Sequence, residues 1–298
     1  SENVAVGFGA LEDCTTGVKN TVIGQEAGRN LTTGNYNIAI GRNTLDAAVT
    51  GNYNNAIGNS ALAANTSGAE NVAVGSLALN SNTTGTSNVA VGNYALGANT
   101  TGINNVAIGR NAMDANTTAN DNVAVGFNAL LSNTTGEWNN AVGRYSLRYN
   151  TTGNYNTAMG DQALSANTTA SNNTAFGYGS LVATTTGDNN TCIGRDSLNS
   201  LTTGRKNSIL GTGGQAITTG ENNSCIGYNA GSSAAPSGVI TTGSNIVCLG
   251  DNNISDLYCA DTSISSSDSR DKTDVTNFTH GLNWINQLNP ITYRWDKR

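Results

Sequence analysis

Tyr145, Arg148 and Tyr149, with Arg144 beside them, form the densest cluster of side chains suited to holding a ligand. Aromatic faces stack on apolar ring surfaces, and guanidinium groups donate hydrogen bonds from a fixed plane. That pairing suits sugars or surface polymers. Solvated variation on a constant scaffold is the plainer alternative. Other chemistry is scarce. A single histidine, His280, argues against a histidine metal cluster and against a Ser-His-Asp triad. Five cysteines make an odd number with no CxxC spacing, so no zinc site and no complete disulfide framework is expected. Asp268, Asp271 and Asp274 lack calcium-loop spacing. Gly211-Thr212-Gly213-Gly214 has no nucleotide fingerprint around it. No metal and no cofactor is therefore expected.

The elements that position these residues have an unusual composition. The 298 residues include 47 Asn and 36 Gly but only 2 Pro, and just 11% are charged, against about 25% in an ordinary domain. Net charge is −6, which disfavours nucleic acid and anionic membrane as partners. No run of apolar residues is long enough to insert in a membrane, and this stretch has no signal-peptide pattern. A start at Ser1 suggests a fragment or a processed product.

An internal repeat decides against disorder. The tetrad Val4-Ala5-Val6-Gly7 recurs, and its glycine reappears at Gly24, Gly41, Gly58 and onward to Gly211 in steps of 17 residues. Gly227 and Gly250 follow after steps of 16 and 23. Fifteen copies result. Four residues before the glycine stands Asn, from Asn3 to Asn223. Two before it the residue is small, usually Ala, with Cys192, Cys225 and Cys248 in later copies. One before it is large and apolar. Four after it is usually Leu, and a turn such as Asn82-Thr83-Thr84-Gly85 closes the copy.

Alternation of large and small is the period of a strand. Gly and Asn in the turns suit positive φ. Seventeen residues is short for a helical repeat and fits one coil of a β-solenoid. At about 4.8 Å per coil, fifteen coils make a rod of roughly 70 Å. The large column and the Leu column are expected to fill the coil. The small column then lies on the opposite strand face, where it would admit another backbone. That packing implies an oligomer, with a homotrimer the natural count for a fibre. The cysteines of the small column read as small core residues, a Cys225–Cys248 bridge being the alternative. Asn-x-Thr sequons, as at Asn99 and Asn116, read as turn chemistry.

Asn-Val-Ala-Val-Gly with a following Ala-Leu resembles the head repeats of trimeric autotransporter adhesins, and also repeats in phage tail fibres. The resemblance covers about residues 1–250. It implies a trimeric, left-handed parallel β-roll with one repeat per coil.

Composition shifts near residue 259. Residues 251–266 read as a linker. Leu282, Ile285 and Leu288 share the face of a short helix that Pro290 stops. Ile291, Tyr293 and Trp295 alternate as in a strand. On their own, Ser267 to Lys272 read as an ordinary polar linker. The run Ser267-Asp268-Ser269-Arg270-Asp271-Lys272, with Gly281-Leu282 and Leu288-Asn289-Pro290-Ile291-Thr292-Tyr293, resembles the start of the intramolecular chaperone auto-processing domain of phage endosialidases and tail fibres. The resemblance assigns residues 267–298 to the beginning of that domain, in truncated form. It implies trimerisation, assistance to assembly of the stalk, and release by self-cleavage. It makes Ser267 the nucleophile and Lys272 its general base. A desolvated lysine has the lowered pKa that this requires.

The fold class expected is thus all-β: a trimeric parallel β-solenoid of 17-residue coils with a short α+β segment after it. The function expected is a structural fibre, of the phage tail-fibre kind, that contacts a host glycan or protein receptor and other virion tail proteins. A bacterial trimeric surface adhesin is the alternative. A tailspike glycosidase would need paired carboxylates, and none recurs in a column. The enzymology expected is a single self-cleavage at Ser267.

Overall fold

The computed structural model describes residues 2–232 and 238–255. The chain divides into one unit at Ser1–Ser255 and a second at Asp256–Arg298. Among the described residues, fifteen three-residue strands, from β1 (Val4–Val6) to β15 (Val247–Leu249), follow one another in sequence order in a single sheet. Every pairing is parallel and in register, as with Val89↔Val106 and Ala90↔Ala107. This is the β-solenoid that the repeat predicts, one strand per copy. The longer step before β15 leaves the register intact, because Ser224 still pairs with Val247.

The inside of the coil differs from the sequence reading. The small column faces inward: Ala39, Ala56, Ala73 and Ala90 have no exposed surface. They join the Leu column, from Leu45 to Leu198, in one continuous core. The large column points outward and is half exposed, as at Ile57 and Ile108. Volume is the physical reason. A 17-residue coil also encloses a second alanine column (Ala61, Ala78, Ala95) and two asparagine columns, all without exposed surface. One leucine per layer fills what remains, and a facing valine or isoleucine would overpack it. The inference that a second chain packs on the small column therefore fails.

Turn geometry also departs from expectation. The turn glycines such as Gly85 do not have positive φ; the residue just before the Asn column does, as at Ser87 (φ 58). The buried leucines are left-handed too, with Leu96 at φ 51. A branched side chain seldom takes that conformation. Here its complete burial offsets the strain.

The asparagines are interior hydrogen-bonding ladders. Asn88 Nδ2 donates to Gly102 O at 2.9 Å, and Asn88 N donates to Asn71 Oδ1 at 3.0 Å. A second ladder closes the far turn, where Asn99 Nδ2 donates to Asn82 Oδ1 at 2.8 Å. These bonds satisfy backbone groups that a narrow coil would otherwise bury unpaired. Asn99 and Asn116 are fully buried members of it, so the folded chain does not offer them for modification.

Cys192, Cys225 and Cys248 are buried in the inward column, and Cys192 and Cys225 are free thiols. Burial pushes the Cys225 thiol up to about 11, with the neighbouring Cys248 adding to the shift. Burial likewise raises Cys192. Cys192 and Cys225 remain protonated and pack as small apolar groups.

Asp114 is a minor misfit. Burial raises its carboxyl above the ordinary carboxylate range. A raised folded pKa favours the protonated form. The native state is therefore relatively better placed below the unfolded pKa, and it loses that advantage as pH rises through the folded pKa. Asp114→Asn is expected to raise the urea midpoint at pH 7 and to leave it unchanged near pH 3. A drop at pH 7 would show that the charge is used by the fold.

Candidate functional site

The strand β9 (Asn140–Val142) ends at Gly143, and the next six residues build the cluster. Ser146 and Leu147 turn inward and are fully buried. Ser146 Oγ donates to Gly143 O at 2.8 Å, and Leu147 N donates to Ala163 O at 3.0 Å. With those two anchored, Arg144, Tyr145, Arg148 and Tyr149 are left on the outer surface. Tyr145 is left-handed (φ 61), and its amide donates to Phe127 O at 3.0 Å.

The structure brings all four predicted residues together. The Arg148 guanidinium lies 4.8 Å from the ring centroids of both Tyr145 and Tyr149. Arg144 approaches the Tyr145 ring at 5.2 Å, and Phe127 meets it edge-on at 5.4 Å. Stacking of this kind holds an arginine by its face and leaves its edge for ligands. Arg144 is also tied to Asp161, with Nη2 2.8 Å and Nε 3.2 Å from Oδ2. That hydrogen bond raises the Arg144 pKa. Two groups remain unspent: Arg148 Nε and Asp161 Oδ1 are buried without a partner among the described residues. One donates and the other accepts. The surface continues along the solenoid through Tyr178, over which Arg195 lies at 5.7 Å.

Residues 267–298 match the family of the chaperone of endosialidase, peptidase S74. No curated protein and no solved structure matches the chain. The matched segment agrees with the resemblance drawn from Ser267 through Tyr293. Ser267 and Lys272, like the helix and strand expected after them, lie outside the described residues. The chaperone match covers none of the coils, so the Tyr145 surface stands on its own geometry.

Sequence reasoning missed two aromatic stacks. Tyr36 lies on Tyr53 at 5.0 Å, and Trp138 on Tyr155 at 4.9 Å. Both pairs occupy the left-handed column just before the Asn ladder. Their signal was a spacing of one repeat between aromatic residues.

Proposed function

We propose that this chain is the shaft and contact segment of a homotrimeric fibre, of the phage tail-fibre kind, assembled with the help of its C-terminal chaperone segment. The observation that carries it is the outer face of the sheet. Parallel sheets are normally covered on both faces. Here the outer face carries large apolar side chains from Val6 to Leu249, partly buried at Val74 and Val91 and 53% exposed at Phe176. Fourteen steps of about 4.8 Å by a strand width of about 10 Å give roughly 670 Å² per chain. The apolar column runs unbroken along a face of that size, beside a column that is Thr, Ser or Asn in eight coils, and an exposed apolar stripe so long marks an interface. Copies of the same rod offer matching stripes with the same pitch. The chaperone match favours three of them, since the resemblance implies trimerisation. The Tyr145 surface, away from the stripe in the repeat, serves the host contact.

The test is native mass spectrometry of the full gene product. Wild type is expected as a trimer of chains cut at Ser267, and Ser267→Ala as a trimer of uncut chains. Val91→Glu with Ile108→Glu is expected to yield monomers while circular dichroism keeps its β signature. A wild-type monomer would end the fibre reading, and an uncut wild-type trimer would remove the proteolysis alone. The contact surface has its own test. Tyr145→Asn with Tyr149→Ala is expected to lower adsorption of the fibre to host cells at least tenfold without changing its mass. Unchanged adsorption would remove the cluster from host contact.

A further inference from the structure

We propose that the Trp138–Tyr155 stack, with Asp121 and Glu137 beside it, is a docking platform for a neutral, hydroxyl-rich polysaccharide, separate from the Tyr145 surface. The proposal rests on the reading of the chain as a surface-contacting fibre. Its residues belong to a different column of the coil.

Four observations carry it. The first is preorganisation. The rings are parallel to within 5°, with centroids 4.9 Å apart. That separation is close to the coil spacing, as suits side chains stacked from successive coils. Each ring braces the other, and both remain about half exposed. The second is open faces. The column neighbours beyond the pair are Asp121 and Asn172, one coil away on either side. Both are short, so the outer part of each ring extends past them. The Tyr36–Tyr53 pair differs, because Lys19 Nζ caps Tyr36 at 5.1 Å and bonds its hydroxyl at 3.2 Å.

The third observation is polar groups of the right kind. Glu137 Oε1 accepts from Asn120 Nδ2 at 2.9 Å, and Asp121 Oδ1 accepts from Asn104 Nδ2 at 3.0 Å. Each carboxylate is thus oriented by one amide and keeps a second oxygen. Neither joins an ion pair among the described residues. Free carboxylates accept from sugar hydroxyls and repel acidic polymers. The fourth is backbone cost. Trp138 (φ 54) and Tyr155 (φ 58) hold a conformation that suits Asn and Asp and burdens bulky residues. Asn104, Asp121, Asn172 and Asn189 fill the same column. Stability alone would favour asparagine there.

The column supplies the test variant. Trp138→Asn with Tyr155→Asn places in both coils a residue the fold already accepts. The full chain is run through native gels cast with dextran, galactomannan or starch, and with alginate as the acidic polymer. Wild type is expected to be retarded by at least one neutral polymer and not by alginate. The double variant is expected to lose that retardation by at least tenfold in apparent affinity, with unchanged native mass and circular dichroism. Retardation by none of the neutral polymers, by alginate alone, or equally in variant and wild type overturns the platform. The two readings fail separately. A trimer without retardation keeps the fibre and removes the platform. A monomer whose retardation depends on Trp138 and Tyr155 keeps the platform and removes the fibre.

Discussion

Replacing Gly109 with valine is expected to destroy the stack of coils around it, at a cost of at least about 4–5 kcal/mol. Gly109 has φ +133, a region closed to side chains that carry a Cβ. A Cβ there would lie 2.6 Å from the carbonyl oxygen of Gly126 and 2.7 Å from its carbon. Both are backbone atoms of the next coil, so no rotamer change relieves the clash. The obstacle repeats at Gly92 and Gly126, which explains the unbroken glycine column. The turn glycines form the contrast. Gly102 also lies against the next coil, yet Ala119 and Ala170 occupy the same column and are buried. A Cβ at Gly102 would also press on Ala119 O of the next coil, but its φ is ordinary and the alanines of this column show that the coil can give way, so Gly102→Ala is expected to cost about 1–3 kcal/mol, less than Gly109→Val. Coils interact with their neighbours alone, so the Gly109 damage should stay local. Hydrogen exchange is expected to speed up across residues 92–126 and to stay slow in distant coils. A Gly109→Val chain with exchange and urea midpoint close to wild type would refute the close-approach account.

The regular part of this architecture was open to reading because each layer repeats the same decision. A glycine every 17 residues located thirteen corners, Gly227 and Gly250 added two more at other steps, and the tetrad placed a strand before each. Periodicity shows that Ala90 and Val91 face opposite ways; it does not show which of them is inside. That choice depends on the volume the coil encloses, and the second alanine column, seen in Ala78 and Ala95, took up the room that Val91 would need. Left-handed Leu96 gave no local warning, since leucine has no preference for that conformation. Its reason is tertiary: only that turn drops the side chain between layers. The asparagine column was visible from Asn3 to Asn223, but turn and interior roles share one residue type. What separates them is the absence of water, which no single residue announces. The Tyr145 cluster was legible because Arg and Tyr stand out on a scaffold poor in charge and aromatics. The Trp138–Tyr155 stack escaped because its partners are neighbours in space and lie one repeat apart in sequence.

The asparagine ladder gives the second large effect. Asn105 has no exposed surface. Its Nδ2 donates to Ala119 O at 2.8 Å, and its Oδ1 accepts from Asn122 N at 3.1 Å. Asn105→Leu keeps nearly the same shape and removes both bonds. It leaves the Asn122 amide buried without its partner, and the Ala119 carbonyl with Asn116 Nδ2 alone, 3.2 Å away. At about 1–3 kcal/mol for the orphaned amide and about 1 kcal/mol for the second lost bond, the loss is expected to be about 2–4 kcal/mol. The same change at Asn3 tests the cause. Asn3 makes the equivalent bonds, to Gly17 O at 2.9 Å and from Asn20 N at 2.8 Å, but lies at the partly exposed end of the ladder. Among the described residues no coil packs before Asn3, and Gly17 O keeps a contact from Cys14 Sγ, so Asn3→Leu should cost less than Asn105→Leu, about 1–2 kcal/mol. Asn105→Asp adds a direction in pH. A carboxylate would still accept from Asn122 but would face the Ala119 carbonyl with no proton to share. Burial and that carbonyl would raise its folded pKa above the unfolded value. Stability should then be lowest at neutral pH and recover as pH falls through the raised pKa, when the acid proton can bond Ala119. Urea midpoints measured at pH 7 and pH 4 check this. Equal losses for Asn105→Leu and Asn3→Leu would mean that the ladder acts by packing and not by satisfying buried backbone.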